Sequence, residues 1–235
     1  MTVQDIMTEL KSRGSENIKK ILLKHGIREP LFGVKVEHLK IIQKKIKKDY
    51  QLAKDLYATG NADAMYLAGL IADDKKMTID DLHTWVRQAV SQNISEYTVP
   101  WVAAESNHGF ELALEWIDSA EEYIAAAGWF TLGALVSLKN DSELDLSELK
   151  SLLSRVVKNI STSKNRVRYA MNGFVIAVGS YVTALTESAM ATAKKIGTIT
   201  VDMNGTACKV PDAGDYILKI KERGSLGKKK KTVKC

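Results

Sequence analysis

The residues of this chain that could do chemistry are few, and most are spaced wrongly for it. The four histidines, His25, His38, His83 and His108, are scattered without ligand or base spacing, so each reads as a surface or helix-end residue rather than a catalytic base. Carboxylate neighbours such as Asp80-Asp81 and Glu121-Glu122 diverge around a helix and form no acid/base dyad. The two cysteines, Cys208 and Cys235, have neither metal-site spacing nor the density of a disulfide scaffold, and read as reduced thiols. No GxGxxG, GxxxxGK or HExxH occurs, so nucleotide-dependent and zinc-protease chemistry have no support. No metal, no cofactor and no catalytic residue is assigned.

What the chain does offer is aromatic faces and cations. Tyr97 and Trp101 stand four residues apart and share one helix face, where they could stack on bases or fill a core. Helical spacing assigns Trp116 and Trp129 to the core. The net charge of +6 is unevenly placed: residues 1–48 hold 12 Lys/Arg against 5 Asp/Glu, residues 49–157 hold 7 against 18, and residues 158–235 hold 15 against 5. Two basic ends around an acidic middle suit a polyanion, with nucleic acid the natural candidate. The candidate phosphate contacts are Lys35, Lys40, Lys44 and Lys47 near the N-terminus and Lys209, Lys228, Lys229, Lys230 and Lys231 near the other end. Lys164, Arg166 and Arg168 join them at the start of a late helix, where phosphates are favoured. Any single lysine run could equally be a solvated helix face.

The elements that must position these groups are helices. Val3, Ile6, Met7 and Leu10 follow the i, i+3, i+4, i+7 pattern behind Thr2. A second helix is expected from Ser15 to about His25, stopped by Gly26, and a third across "KVEHLKIIQKKIKKDY". Further helices are expected at 51–58, 61–72, 78–91, 95–106, 108–118, 120–138, 146–160, 164–181 and 186–196, with Asn61 and Thr78 as caps. Pro100 marks a kink or a first turn. Helix pairs recurring about every 40 residues match a HEAT-like helical-repeat solenoid, with an irregular bundle as the alternative. One domain over 1–235 is expected. No apolar run is long enough to span a bilayer and the N-terminus lacks a signal-peptide pattern. A cytoplasmic monomer with no membrane partner is the resulting expectation.

One segment breaks the helical pattern. "ITVDMNGTACKV" reads as a β-hairpin over about 198–210, turning on Asn204-Gly205. Ile199, Val201, Met203, Cys208 and Val210 would form its apolar face, and the tip would either cap the last helices or project toward DNA. "PDAGDYILKIKERGSLG" then reads as a short helix with Tyr216, Ile217 and Ile220 inward, and residues 224–235 as a flexible basic tail.

Two stretches carry a resemblance. "LFGVKVEHLKIIQKKIKK" is similar to the N-terminal segment of the AlkD-type DNA alkylation repair family, and "SKNRVRYAMNGFVIAVGSYV" resembles one of its later basic helices. The resemblance implies an all-α, HEAT-like superhelix that binds DNA in a concave groove. Glycosylases of that family use a Trp-x-x-x-Asp pair, a later Arg and a second Trp. A carboxylate there offsets positive charge developing on the sugar, and aromatic faces hold a cationic base. In this chain those four positions fall on Tyr97, Trp101, Ala126 and Gly173, so the carboxylate is missing; only a shifted alignment could recruit Glu96 or Glu105. The resemblance therefore implies a DNA-binding member without base excision, most like the hairpin-bearing AlkF/AlkG-like branch with its preference for branched DNA. An active alkylpurine glycosylase and a scaffold for an acidic protein remain as alternatives.

Overall fold

A computed structural model describes residues 1–89 and 91–235. Several helices start where the sequence offers a side-chain cap. The Thr2 hydroxyl accepts the Asp5 N–H while the Asp5 carboxylate accepts the Thr2 N–H, opening α1 (Val3–Arg13); Thr78 and Asp81 repeat the device for α6 (Ile79–Gln88). Asn61 caps α5 (Ala62–Ile71), Asp145 caps α10 (Leu146–Asn159) and Asp212 caps α13 (Ala213–Glu222). The remaining helices are α2 (Glu16–Lys24), α3 (Val36–Ile46), α4 (Tyr50–Tyr57), α7 (Val99–Glu105), α8 (Gly109–Trp116), α9 (Glu122–Leu138), α11 (Asn165–Tyr181) and α12 (Thr186–Ile196). The helix expected over 78–91 includes Val90, which lies outside the described residues.

The helix expected over 95–106 is divided. Ile94–Thr98 form a π-helical segment and α7 follows it directly, with Pro100 in its first turn, where a missing N–H costs nothing.

The helices pack in two rows. The π-helical segment with α7 bridges α5 to α9, then α11 and α13 follow side by side; α4, α6, α8, α10 and α12 pack behind this row. The run Ala125-Ala126-Ala127-Gly128 shows why the rows fit. A Cβ on Gly128 would lie 2.9 Å from the Ala113 carbonyl oxygen and 2.8 Å from the Ile117 nitrogen, so only small residues let α8 approach α9 this closely. Two large hydrophobic cores result, one drawing on helices from α1 to α9 and one on helices from α8 to α13, with a small third cluster of Ile27, Leu31 and Ala62. Trp116 and Trp129 are core residues, as their spacing predicts. Each buried side chain of this size contributes on the order of 2–3 kcal/mol.

The expected β-hairpin is not formed. Asn204 and Gly205 do adopt positive φ (57° and 65°), and the Thr206 N–H donates to the Met203 carbonyl at 3.1 Å, so the tight turn is there. Beyond it the ladder fails because its backbone groups are taken elsewhere. Asn165 holds both polar groups of Asp202, accepting its N–H at 2.7 Å and donating to its carbonyl at 2.9 Å. The Asp202 carboxylate accepts the Asn204 N–H, and the Thr206 hydroxyl oxygen accepts the Cys208 N–H. Local side-chain bonds of this kind displace sheet pairing. Among the described residues there is no strand, and the fold is all-helical. In α13, Ile217 faces the core but Tyr216 is 46% exposed, against the sequence reading.

The lysine-rich tail is held against the protein. The Gly227 N–H donates to the Ser180 carbonyl at 2.9 Å and the Lys230 N–H to the Ser137 carbonyl at 2.8 Å. Lys229 Nζ reaches the Val136 carbonyl at 3.0 Å, and Lys234 Nζ the Ala72 carbonyl at 3.4 Å. These carbonyls end α11, α9 and α5, and Glu105, which ends α7, accepts the Val233 N–H at 3.0 Å. One short segment thus touches the C-terminal ends of four helices. The four therefore point the same way, and residues 227–235 form a strap along one rim of the row.

Candidate nucleic-acid interface

Between the two rims lies a groove with aromatic walls. Tyr97, Pro100 and Trp101 line it from the π-helical segment and α7, Phe130 from α9, and Gly173 and Phe174 from α11; Lys230 and Val233 of the strap close one side around a volume of about 200 Å³. The four-residue spacing of Tyr97 and Trp101 places their ring centroids 5.9 Å apart. From them the series runs Tyr66 to Trp101 (5.3 Å), Tyr97 to Phe130 (6.4 Å) and Phe130 to Tyr169 (6.1 Å). These are ordinary separations for favourable ring pairs. Tyr97 is 44% exposed and offers a free face, while Trp101 is 8% exposed and supports it from below. Burial against the groove wall, with the charge of Glu96 beside it, pushes the Tyr97 phenol up to about 12, so it stays neutral.

Neither carboxylate that a shifted alignment could recruit is free. Glu96 is buried and bound in bidentate fashion by Arg166, with Nε at 2.6 Å and Nη2 at 2.8 Å. Burial acts to lower the pKa of Arg166, but the hydrogen bonds and charge of Glu96 outweigh it and hold the guanidinium above its usual value. The same guanidinium lies 4.5 Å from the Tyr169 ring centroid and meets Met203 Sδ at 3.5 Å, while the Arg166 backbone N–H donates to Glu122 at 2.7 Å. Glu105, the other carboxylate, accepts from the Thr232 hydroxyl at 2.5 Å and from the Val233 N–H. The position aligned with the catalytic Arg, Ala126, is fully buried, and that of the second Trp, Gly173, leaves the groove wall bare.

The candidate cations divide into groups. Arg166 is a correction: it is 6% exposed and committed to Glu96, so it belongs to the interior and not to a phosphate-contacting surface. Its neighbour Lys164 is exposed and donates to the Ala120 carbonyl at 2.7 Å; Arg168 is half-buried, with its Nε unpaired. Lys35 and Lys40 lie on or before α3, Lys35 within 3.5 Å of Glu37. Lys44 and Lys47 face a cleft shared with Thr232 and Lys234 of the strap. Lys228, Lys230 and Lys231 are exposed, whereas Lys229 is paired with Asp141 at 2.8 Å. Asn204, Gly205 and Lys209 are all exposed on the loop that replaces the hairpin. Sequence reasoning missed Phe130, Tyr169 and the Glu96–Arg166 pair. Only the three-residue step from Arg166 to Tyr169 was visible in one helix, while Glu96 lies 70 residues from its partner. Among the described residues no acidic, His and Cys cluster could hold a metal, and no single helix is long and apolar enough to cross a membrane.

A two-row helical stack with an aromatic groove between its rims defines an all-helical repeat protein. A solved structure described as a new family of proteins related to the HEAT-like repeat DNA glycosylases, with affinity for branched DNA structures, matches with a TM-score of 0.92 and 37% identity over 100% of both chains. The uncharacterized protein Lmo0209 of Listeria monocytogenes is 32% identical over 229 residues, and the uncharacterized protein Lin0241 of Listeria innocua is 31% identical over the same length. Each of those matches covers 95% of this chain and 99% of the relative. The family model for the DNA alkylation repair enzyme matches residues 6–209, and the chain belongs to that family.

Proposed function

We propose that this protein binds branched DNA along the groove, holding the arms through phosphate contacts and leaving glycosidic bonds intact, as a member of the AlkF/AlkG-like branch. The observation that carries the reading is the engagement of Glu96 and Glu105 by internal partners. The Glu96 carboxylate spends both oxygens on Arg166, so it has no uncompensated charge to offer a sugar, and Glu105 is held by Thr232 and Val233 of the strap. Affinity for branched DNA in the relative with 37% identity supports the choice of partner. Tyr97 supplies an open aromatic face on which a base unstacked at the branch point can rest, a contact worth on the order of 1–3 kcal/mol and indifferent to sequence.

The test is an affinity series with labelled duplex, single-stranded, three-way and four-way DNA, together with a base-release assay on methylated duplex. Tighter binding to the branched forms and no release above background are expected. Equal affinity for all four substrates, or measurable release of methylated purine, would refute the reading.

A further inference from the structure

The strap occupies a place that should repel DNA. The C-terminal ends of α5, α7, α9 and α11 meet at one rim, each bringing about half a negative charge from its unsatisfied carbonyls. Asp74, Glu105 and Asp141 stand at the same rim. The strap answers them one by one: Lys234 Nζ lies 2.6 Å from Asp74, Lys229 Nζ lies 2.8 Å from Asp141, and Glu105 accepts from Thr232 and Val233. Val233 also packs against the first hydrophobic core, and Lys230 Nζ rests 5.5 Å from the Tyr181 ring centroid.

Once those groups are matched, Lys228 and Lys231 remain exposed. At the strap's end Thr232 and Lys234 share a cleft of about 670 Å³ with Lys44, Lys47 and Lys48, of which Lys48 also meets Asp74 at 3.3 Å. We propose that the docked strap converts this rim from acidic to basic, creating a rail that holds the phosphate backbone of one DNA arm. The inference rests on the DNA-binding reading above. It differs from a tail that captures phosphates while free, because here the lysines act only when anchored.

The two ideas give opposite signs in one experiment. Glu105→Ala removes an anchor of the strap while raising the net charge by one. A free tail predicts unchanged or tighter DNA binding, whereas the rail predicts weaker binding by five-fold or more to both duplex and four-way DNA. The slope of log affinity against log salt should also fall, by about 0.9 for each phosphate the rail no longer holds. Limited trypsin digestion at Lys228–Lys231 reports independently whether the strap has come off, and Val233→Ser, which leaves the charge unchanged, repeats the release by a second route. Weaker binding by both variants, with the strap newly cleavable, supports the rail. Full affinity with a cleavable strap overturns it and leaves the branched-DNA reading standing. A wild-type protein that binds no DNA at all removes that reading, and the rail with it.

Discussion

The two rims of the helix row are stitched by opposite chemistries. At the N-terminal rim, carboxylates receive backbone N–H groups: Asp63 accepts from Phe32 at 2.6 Å, Gly33 at 3.0 Å and Val34 at 3.1 Å, and Glu122 accepts from Arg166. At the C-terminal rim, lysine ammonium groups and strap N–H groups donate to the carbonyls of Val136, Ala72, Ser137 and Ser180. Aligned helices leave bare donors at one end and bare acceptors at the other. The sign of charge each rim recruits is therefore set by chain direction, before any ligand is considered. Part of the basic character near the end of the sequence belongs to this internal matching.

The comparison can be broken at several points. The largest effect is expected from Arg166→Met, which strands the buried Glu96 charge and should lower unfolding free energy by about 3–5 kcal/mol in urea denaturation. Replacing Glu96 and Arg166 together by apolar residues should recover much of that loss, and a double variant as unstable as the single one would show that the pair is not what matters. Asp63→Ala leaves three loop N–H groups without their acceptor and should cost about 3 kcal/mol, visible as faster amide exchange at Phe32, Gly33 and Val34. An unchanged exchange rate there would remove Asp63 from the N-terminal rim's stitching.

On the other rim, Lys234→Met should cost about 2 kcal/mol, since its ammonium group is buried between Asp74 and the Ala72 carbonyl. It should also free the end of the strap to trypsin; a strap still protected would mean that Val233 and Glu105 suffice to hold it. The smallest effect is expected at the turn. Gly205→Ala meets no atom within 4 Å of the added Cβ, so its cost of about 1 kcal/mol comes from φ +65° alone. A loss of several kcal/mol would imply packing at the tip that the structure does not contain.

These contrasts also mark how far the sequence was readable. Caps at Thr2 and Thr78, and the shared face of Tyr97 and Trp101, depend on residues within four positions of each other, and they form as the spacing predicts. The Asn204-Gly205 turn is equally local and is present. Its ladder is absent because Asp202 pairs with Asn165, 37 residues away. Arg166 looked like a surface cation because nothing near it in sequence announces Glu96. The lysine run looked like a free tail because composition records charge without saying which helix ends lie beneath it.

The strap has a consequence for how the protein comes apart. In an open helical solenoid each unit touches only its neighbours, so units can melt in succession and the ends fray first. Here Lys234 meets Ala72 across 162 residues of chain and Val233 meets Glu105 across 128. Those long-range bonds close the stack on itself, so an end cannot peel away without breaking bonds that reach back to α5. Melting is therefore expected as a single cooperative event, and the closing bonds form only once chain segments more than a hundred residues apart have been brought together.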